Sequence, residues 1–190
     1  MKTLQTIQKA MNVFRIIAKG ASVLCIVSAV ISSVGALCAV TQYNGGQVLW
    51  LFGEPFDLFA DGTDLLQKYV YLLSVTFMLI SEAILLGLVR SYLKYEQADG
   101  TPFTENGADR LKRLGIRFIW IPAVTIAVSE AVAVLQGVEI TGPVSNLESV
   151  LIGIILIFVS VIFRYGAELE NKNQDQIEYT KQINSEGESL

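Results

Sequence analysis

The 190-residue sequence contains no histidine and only two cysteines, Cys25 and Cys38. Without histidine, a Ser-His-Asp triad, a Cys-His dyad, histidine-held zinc and histidine-ligated haem are all excluded. A disulfide between the two cysteines is excluded as well, because one helix would separate them by ~20 Å. Only acids and hydroxyls are left for catalysis, so we predict that the protein is not an enzyme and uses no cofactor or metal.

Charge is also scarce: Asp, Glu, Lys and Arg make up 17% of the chain, whereas a soluble domain carries about 25%. Hydrophobic residues account for 52% of the sequence, and the mean hydropathy is +0.50. This apolar content exceeds what a one-domain chain needs for a core surrounded by water. The composition therefore predicts an integral membrane protein.

Four apolar runs are long enough for a helix to cross the roughly 30 Å hydrocarbon core of a bilayer. They cover residues 21–40, 69–89, 118–135 and 144–163. We predict an all-α, polytopic membrane protein in which residues 1–170 form one domain, a bundle of four transmembrane helices. Gly153 and Ser160 give span four a small face for close helix approach, either within the chain or between copies. The polar residues 171–190 are expected to fray into a mobile tail.

Basic residues are sorted to one side of these spans. With this arrangement, 13 of the 14 Lys and Arg residues precede span one, lie between spans two and three, or follow span four. The other side holds Lys68 and several acids. Because short loops rich in Lys and Arg stay in the cytoplasm, we predict that the N and C termini are both cytoplasmic.

The segment before span one has a helical pattern of its own. Leu4, Ile7, Met11 and Phe14 recur at spacings of three and four, which places them on one helical face. This pattern predicts a basic, amphipathic interfacial helix, and a simple extension of span one fits it as well. In either case we expect contact with anionic lipids at the cytoplasmic face.

The predicted outer connection, residues 41–68, is long for a bare loop. Its aromatic stretches flank Gly53-Glu54-Pro55, which favours a short hairpin or a cap at the membrane interface. Trp and Phe at headgroup depth are usually anchors, but a lid or a binding surface fits the same residues.

Two carboxylates, Glu82 and Glu130, interrupt the middle of spans two and three. A charge in hydrocarbon is costly unless it faces protein or water, so we predict that both face the bundle interior. No Lys, Arg or His lies within a span, which leaves hydroxyls as partners. The candidate intramembrane polar site comprises Glu82, Glu130, Ser81, Ser129 and Ser32. It is either a structural cross-link between helices or a relay for protons or cations.

The loop between spans two and three contains turn residues at Asp99-Gly100-Thr101-Pro102, followed by a good N-cap, Thr104. Two segments resemble a bacterial family of small four-span membrane proteins known as DUF family 2975. They are Gly100-Thr101-Pro102-Phe103-Thr104-Glu105-Asn106 and Phe163-Arg164-Tyr165-Gly166-Ala167-Glu168-Leu169. The resemblance implies a four-helix bundle and no reaction. Members of this family often lie beside small helix-turn-helix regulators, which implies a signalling or regulatory role.

These observations predict a non-enzymatic, multi-pass protein of the bacterial inner membrane with a signalling, regulatory or membrane-protective accessory role. The candidate partner surface comprises Pro102, Phe103, Thr104, Arg110, Arg113 and Arg164. A cytoplasmic regulator protein is the expected partner, and the sequence leaves undecided whether the protein forms a homo-oligomer. Nucleic acid is not expected as a partner, because acids are mixed with these basic residues. The alternative function is a small proton- or cation-coupled transporter or channel that uses Glu82 and Glu130.

Overall fold

Four helices make up most of the structure, a computed structural model that describes residues 2–43, 50–51, 54–55, 64–99, 104–138 and 147–187. The elements are α1 (Lys2–Tyr43), β1 (Trp50–Leu51), β2 (Glu54–Pro55), α2 (Leu65–Asp99), α3 (Glu105–Gln136) and α4 (Leu147–Gly187). Each helix contains a stretch long and apolar enough to cross a membrane. The prediction of an all-α membrane protein with four spanning helices is therefore confirmed.

All four helices extend beyond their predicted spans, and in α1 and α4 the extension bears on an expectation. α1 begins at Lys2 and continues through span one, so the N-terminal segment is an extension of that span and not a separate interfacial helix. α4 continues to Gly187, so the described part of the predicted tail is helical, and its mobility stays a prediction. The physical reason is local: the sequence from Ala167 to Glu186 contains neither Gly nor Pro and is rich in Glu, Gln and Lys, which favour helix.

The predicted hairpin in the connection 41–68 is confirmed by its four described residues, 50–51 and 54–55. Trp50 pairs with Pro55 and Leu51 with Glu54 in an antiparallel ladder. The choice between lid and anchor depends on aromatic residues such as Phe52, Phe56 and Phe59, which lie outside the described residues.

The helices pack in chain order, α1 on α2, α2 on α3 and α3 on α4. Within the described ranges no Cα atom of α1 lies within 8 Å of a Cα atom of α3 or α4, so α1 packs closely on α2 alone. α1 and α2 are antiparallel, since Arg15 lies beside Gln97 while Ser22 lies beside Ala83. We call the end where α2 finishes and α3 begins the basic end, and the end where α2 begins and α3 finishes the opposite end.

The core lies nearer the basic end. Leu85 of α2 packs with Leu111, Leu114 and Phe118 of α3, and half-buried side chains of α4 close over them. Most apolar side chains of the helices point outward: in the apolar segment of each helix only 17–28% of the residues are buried. This distribution suits a chain whose solvent is lipid.

α3 and α4 meet at two glycines. A Cβ added to Gly115 would lie 2.8 Å from the carbonyl oxygen of Gly153, and a Cβ on Gly153 would lie 2.8 Å from that of Gly115. Close backbone approach through small residues is a usual way for membrane helices to associate. The predicted small face of α4 therefore seals the chain internally at Gly153.

Candidate functional site

Glu82 lies where three helices approach one another. Its half-buried carboxylate on α2 accepts a hydrogen bond of 2.9 Å from the hydroxyl of Ser149, a buried residue in the first turn of α4. From α1, Ser22 donates a 3.3 Å hydrogen bond to the carbonyl oxygen of Ala83, the residue next to Glu82. A polar contact between α2 and α4 therefore lies inside a segment able to span the membrane.

Glu130 has a different environment, and the prediction that it faces the bundle interior is wrong. Its side chain is exposed on α3, while Ser129 and Ala133 of the same helix are buried. Successive residues of an α-helix point about 100° apart, so Glu130 points away from the packed face on which Ser129 lies. The two glutamates therefore do not form one buried pair.

The three hydroxyls predicted as partners of the glutamates have different surroundings. Ser81 is buried and donates to the carbonyl oxygen of Met78 at 2.8 Å. Ser129 is buried, and its hydroxyl has no hydrogen-bond partner among the described residues. Ser32 is half-buried on α1. The partner of Glu82 is Ser149, which sequence reasoning missed because only the tertiary fold brings the start of α4 level with the middle of α2.

A cleft between α2 and α3 opens at the basic end, with a volume of about 190 Å³. Arg110, Arg113 and Arg117 of α3 line it together with Tyr95 and other α2 residues. Their spacings of three and four place the arginines on one face of α3. The guanidinium carbon of Arg110 lies 4.9 Å from the ring centre of Tyr95, which is a cation–π geometry.

A second cleft lies between α1 and α2 at the same end, with a volume of about 550 Å³. Its cations are Arg15 and Lys19 of α1 with Arg90 and Lys94 of α2. Arg15 is oriented by a 3.2 Å hydrogen bond that it donates to the side-chain oxygen of Gln97. Ser91 lines both clefts, so the two lie on either side of α2. Among the described residues that line the two clefts, none is a carboxylate.

Glu96 anchors the junction between α2 and α3. Its side chain is only 3% exposed, and a Cβ added to Gly107 would lie 2.9 Å from its Oε1. Thr104 caps α3 as predicted, since its hydroxyl oxygen accepts a 2.9 Å hydrogen bond from the backbone N–H of Gly107. A carboxylate here lies at the positive end of the α3 dipole. Sequence reasoning missed Glu96.

The predicted partner surface is only partly assembled. Arg110 and Arg113 line the α2–α3 cleft, whereas Arg164 does not. Arg164 lies exposed on α4, 3.7 Å from Glu168, and such exposed pairs contribute little to stability. The hydroxyl of Thr104 is engaged in its cap. Pro102 and Phe103 lie outside the described residues.

Comparisons with known proteins add no assignment. Within the part of the chain that the structure describes, no group of three or more His, Cys, Asp or Glu residues could hold a metal ion. No family model matches the chain, and no curated protein or solved structure matches it either. Its membership of DUF family 2975 therefore stays a prediction.

Proposed function

We propose that this chain is a non-enzymatic bacterial inner-membrane protein with a signalling, regulatory or membrane-protective accessory role, and that it acts at its basic end with both termini cytoplasmic. The observation that carries the proposal is the pair of clefts on either side of α2, lined by cations from α1, α2 and α3. Arginine forks suit carboxylate and phosphate groups, so the expected partner is a cytoplasmic regulator protein with an acidic surface.

Binding fits these clefts better than catalysis does. Ser91, Tyr92 and Tyr95 supply hydroxyls, but no described residue that lines either cleft is a carboxylate able to act as a general base, and Glu96, one turn from Tyr92, is buried outside both linings. A hydroxyl nucleophile needs such a base beside it. The clefts therefore offer recognition of anionic groups without the means to activate a nucleophile.

Site-specific photo-crosslinking in intact cells tests this role. A crosslinker placed at Asn106, exposed on α3 at the basic end, should capture a cytoplasmic protein, while one at Leu135, exposed at the opposite end, should not. The adduct should disappear when Arg110→Gln and Arg113→Gln are combined. Equal capture at both positions, or an adduct that survives the double substitution, would contradict a partner surface at the basic end.

Proton- or cation-coupled transport is a second candidate function, favoured by the Glu82–Ser149 hydrogen bond. A half-buried carboxylate between membrane helices is by default a candidate for an ion pathway. The exposure of Glu130 reduces this candidate to a mechanism that uses Glu82 alone. In proteoliposomes, Glu82→Gln should abolish cation-driven flux and Glu130→Gln, the matched control, should leave it intact. Wild-type protein without flux would remove the candidate.

A further inference from the structure

The α2–α3 cleft contains two arginines whose side chains are not bound by any described residue. Arg113 and Arg117 lie one turn apart on α3, both exposed, and both line the cleft. Neither makes a hydrogen bond or ion pair with a described residue. Arg110, deeper in the same lining, is held over the ring of Tyr95. Two guanidinium groups one turn apart, in a lining that contains no carboxylate among the described residues, can bind a single anion together.

We propose that the α2–α3 cleft binds the phosphate of an anionic phospholipid headgroup through Arg113 and Arg117. The planar guanidinium group donates two parallel hydrogen bonds to phosphate oxygens, which is a geometry that lysine cannot reproduce. Basic pockets between membrane helices are a known mode of headgroup binding. This site shares Arg113 with the partner surface proposed above, but its ligand is a lipid headgroup and not a protein.

The surroundings of the cleft favour a lipid as the source of the phosphate. Leu88 and Leu114 give the lining an apolar part, and the adjacent Ile116 is 39% exposed. Trp120 follows Arg117 by three residues and is 66% exposed, which places an indole ring beyond the arginines towards the apolar part of α3. Trp prefers the boundary between headgroups and acyl chains. The order of cation, indole and apolar surface along α3 matches a phospholipid and has no counterpart in a free phosphate ion.

A neighbouring lysine allows a test that distinguishes binding at a specific site from general attraction to an anionic surface. Lys112 adjoins Arg113 in the same helix, carries the same charge and is exposed, yet it does not line the cleft. Arg164 of α4 is likewise exposed outside the cleft. A non-specific field would weaken similarly when either pair of charges is removed, because it depends on net charge. A site in the cleft depends on Arg113 and Arg117 and not on Lys112 or Arg164.

The experiment is a native mass spectrometry titration of the full chain in neutral detergent with phosphatidylglycerol, phosphatidylcholine and inorganic phosphate as separate probes. We expect one saturable binding site for phosphatidylglycerol, and we expect that neither of the other probes displaces the bound lipid. Arg113→Gln combined with Arg117→Gln should weaken its binding about tenfold or more, because two charge-assisted hydrogen-bond donors are lost. Lys112→Gln combined with Arg164→Gln should change it less than about twofold. All four replaced side chains are solvent-facing, and thermal melting verifies that both variants remain folded.

Four results would overturn the proposal. Equal weakening in both double variants would reduce the binding to net charge, and equal binding of phosphatidylcholine would remove the requirement for an anion. Displacement by inorganic phosphate at similar concentration would make free phosphate the ligand. Arg113→Lys combined with Arg117→Lys keeps the charge but loses the fork, so full retention of binding would contradict the bidentate geometry. The photo-crosslink at Asn106 detects a protein, so the accessory role can fail or stand separately.

Discussion

At the basic end of the bundle, α2, α3 and α4 interlock through the cluster around Phe118, the contact of Gly115 with Gly153 and the seat of Glu96 on Gly107. At the opposite end, α3 leaves Val134 and Leu135 exposed. The buried hydroxyls of Ser74 and Ser129 have no hydrogen-bond partner among the described residues. Close packing of α3 on α4 and clustered charge therefore coincide at the basic end, where rigid helices can hold a binding site in a fixed geometry. At the opposite end the close packing is between α1 and α2, where Ala36, Cys38 and Val70 are buried.

The two intramembrane glutamates reproduce this contrast on the scale of single residues. Glu82 is half-buried and hydrogen-bonded to Ser149, whereas Glu130 is exposed nearer the opposite end. Identical side chains at similar positions within their predicted spans thus have different surroundings, because α4 contacts Glu82 and does not cover Glu130. The environment, and not the residue type, makes Glu82 the better candidate for a role in the membrane.

The largest effect is expected at the glycine contact. Gly115→Ala places a methyl group 2.8 Å from the backbone of α4, which cannot move aside cheaply, so we expect destabilisation by about 3 kcal/mol. Gly87→Ala is the matched control, since nothing lies within 4 Å of its Cβ, and it should stabilise α2 by up to about 1 kcal/mol. Thermal unfolding in detergent measures both. Similar melting temperatures for the two variants would show that the contact does not hold α3 and α4 together.

A smaller effect is expected at the junction of α2 and α3. Gly107→Ala would bring a methyl group 2.9 Å from the side-chain oxygens of Glu96 and Thr104. Side-chain ends can shift, so the expected cost is about 1–2 kcal/mol. Gly20→Ala, which meets nothing within 4 Å, serves as the control. The same thermal unfolding assay applies, and a Gly107 variant as stable as the Gly20 variant would mean that Glu96 does not secure the start of α3.

The smallest effect compares two buried serines. Ser149→Ala removes the hydrogen-bond donor of Glu82 and should destabilise the protein by about 1 kcal/mol. Ser129→Ala removes a buried hydroxyl that has no partner in the described residues and should be neutral or slightly stabilising. Chemical unfolding in mixed micelles resolves the difference. The contrast between the two halves fails here if Ser129→Ala costs as much as Ser149→Ala.

Much of the fold follows from the sequence because the signals are long or local. The four apolar runs predict the four helices, and the hydroxyl of Thr104 marks the start of α3. The outward position of Glu130 could not be predicted, because a span that is apolar on every side gives no periodic signal of the face that packs. In a membrane, lipid accepts the apolar side chains that a soluble protein would bury.

The residues missed at the site divide in the same way. Glu96 could have been found, because Leu85, Val89, Tyr92 and Glu96 recur at spacings of four, three and four and so share the packed face of α2. The Ser149 contact and the clefts depend on which helices touch and at what level. The sequence therefore predicts the cations of the basic end, but not their distribution between two clefts.

Amide hydrogen exchange in lipid nanodiscs tests the central claim, that ligand recognition belongs to the basic end. Exchange in phosphatidylglycerol is compared with exchange in phosphatidylcholine, segment by segment. The account predicts slower exchange in residues 88–95 and 110–117, which line the clefts, and no change in residues 129–138 at the opposite end. Slowing confined to residues 129–138, or equal slowing at both ends, would contradict it.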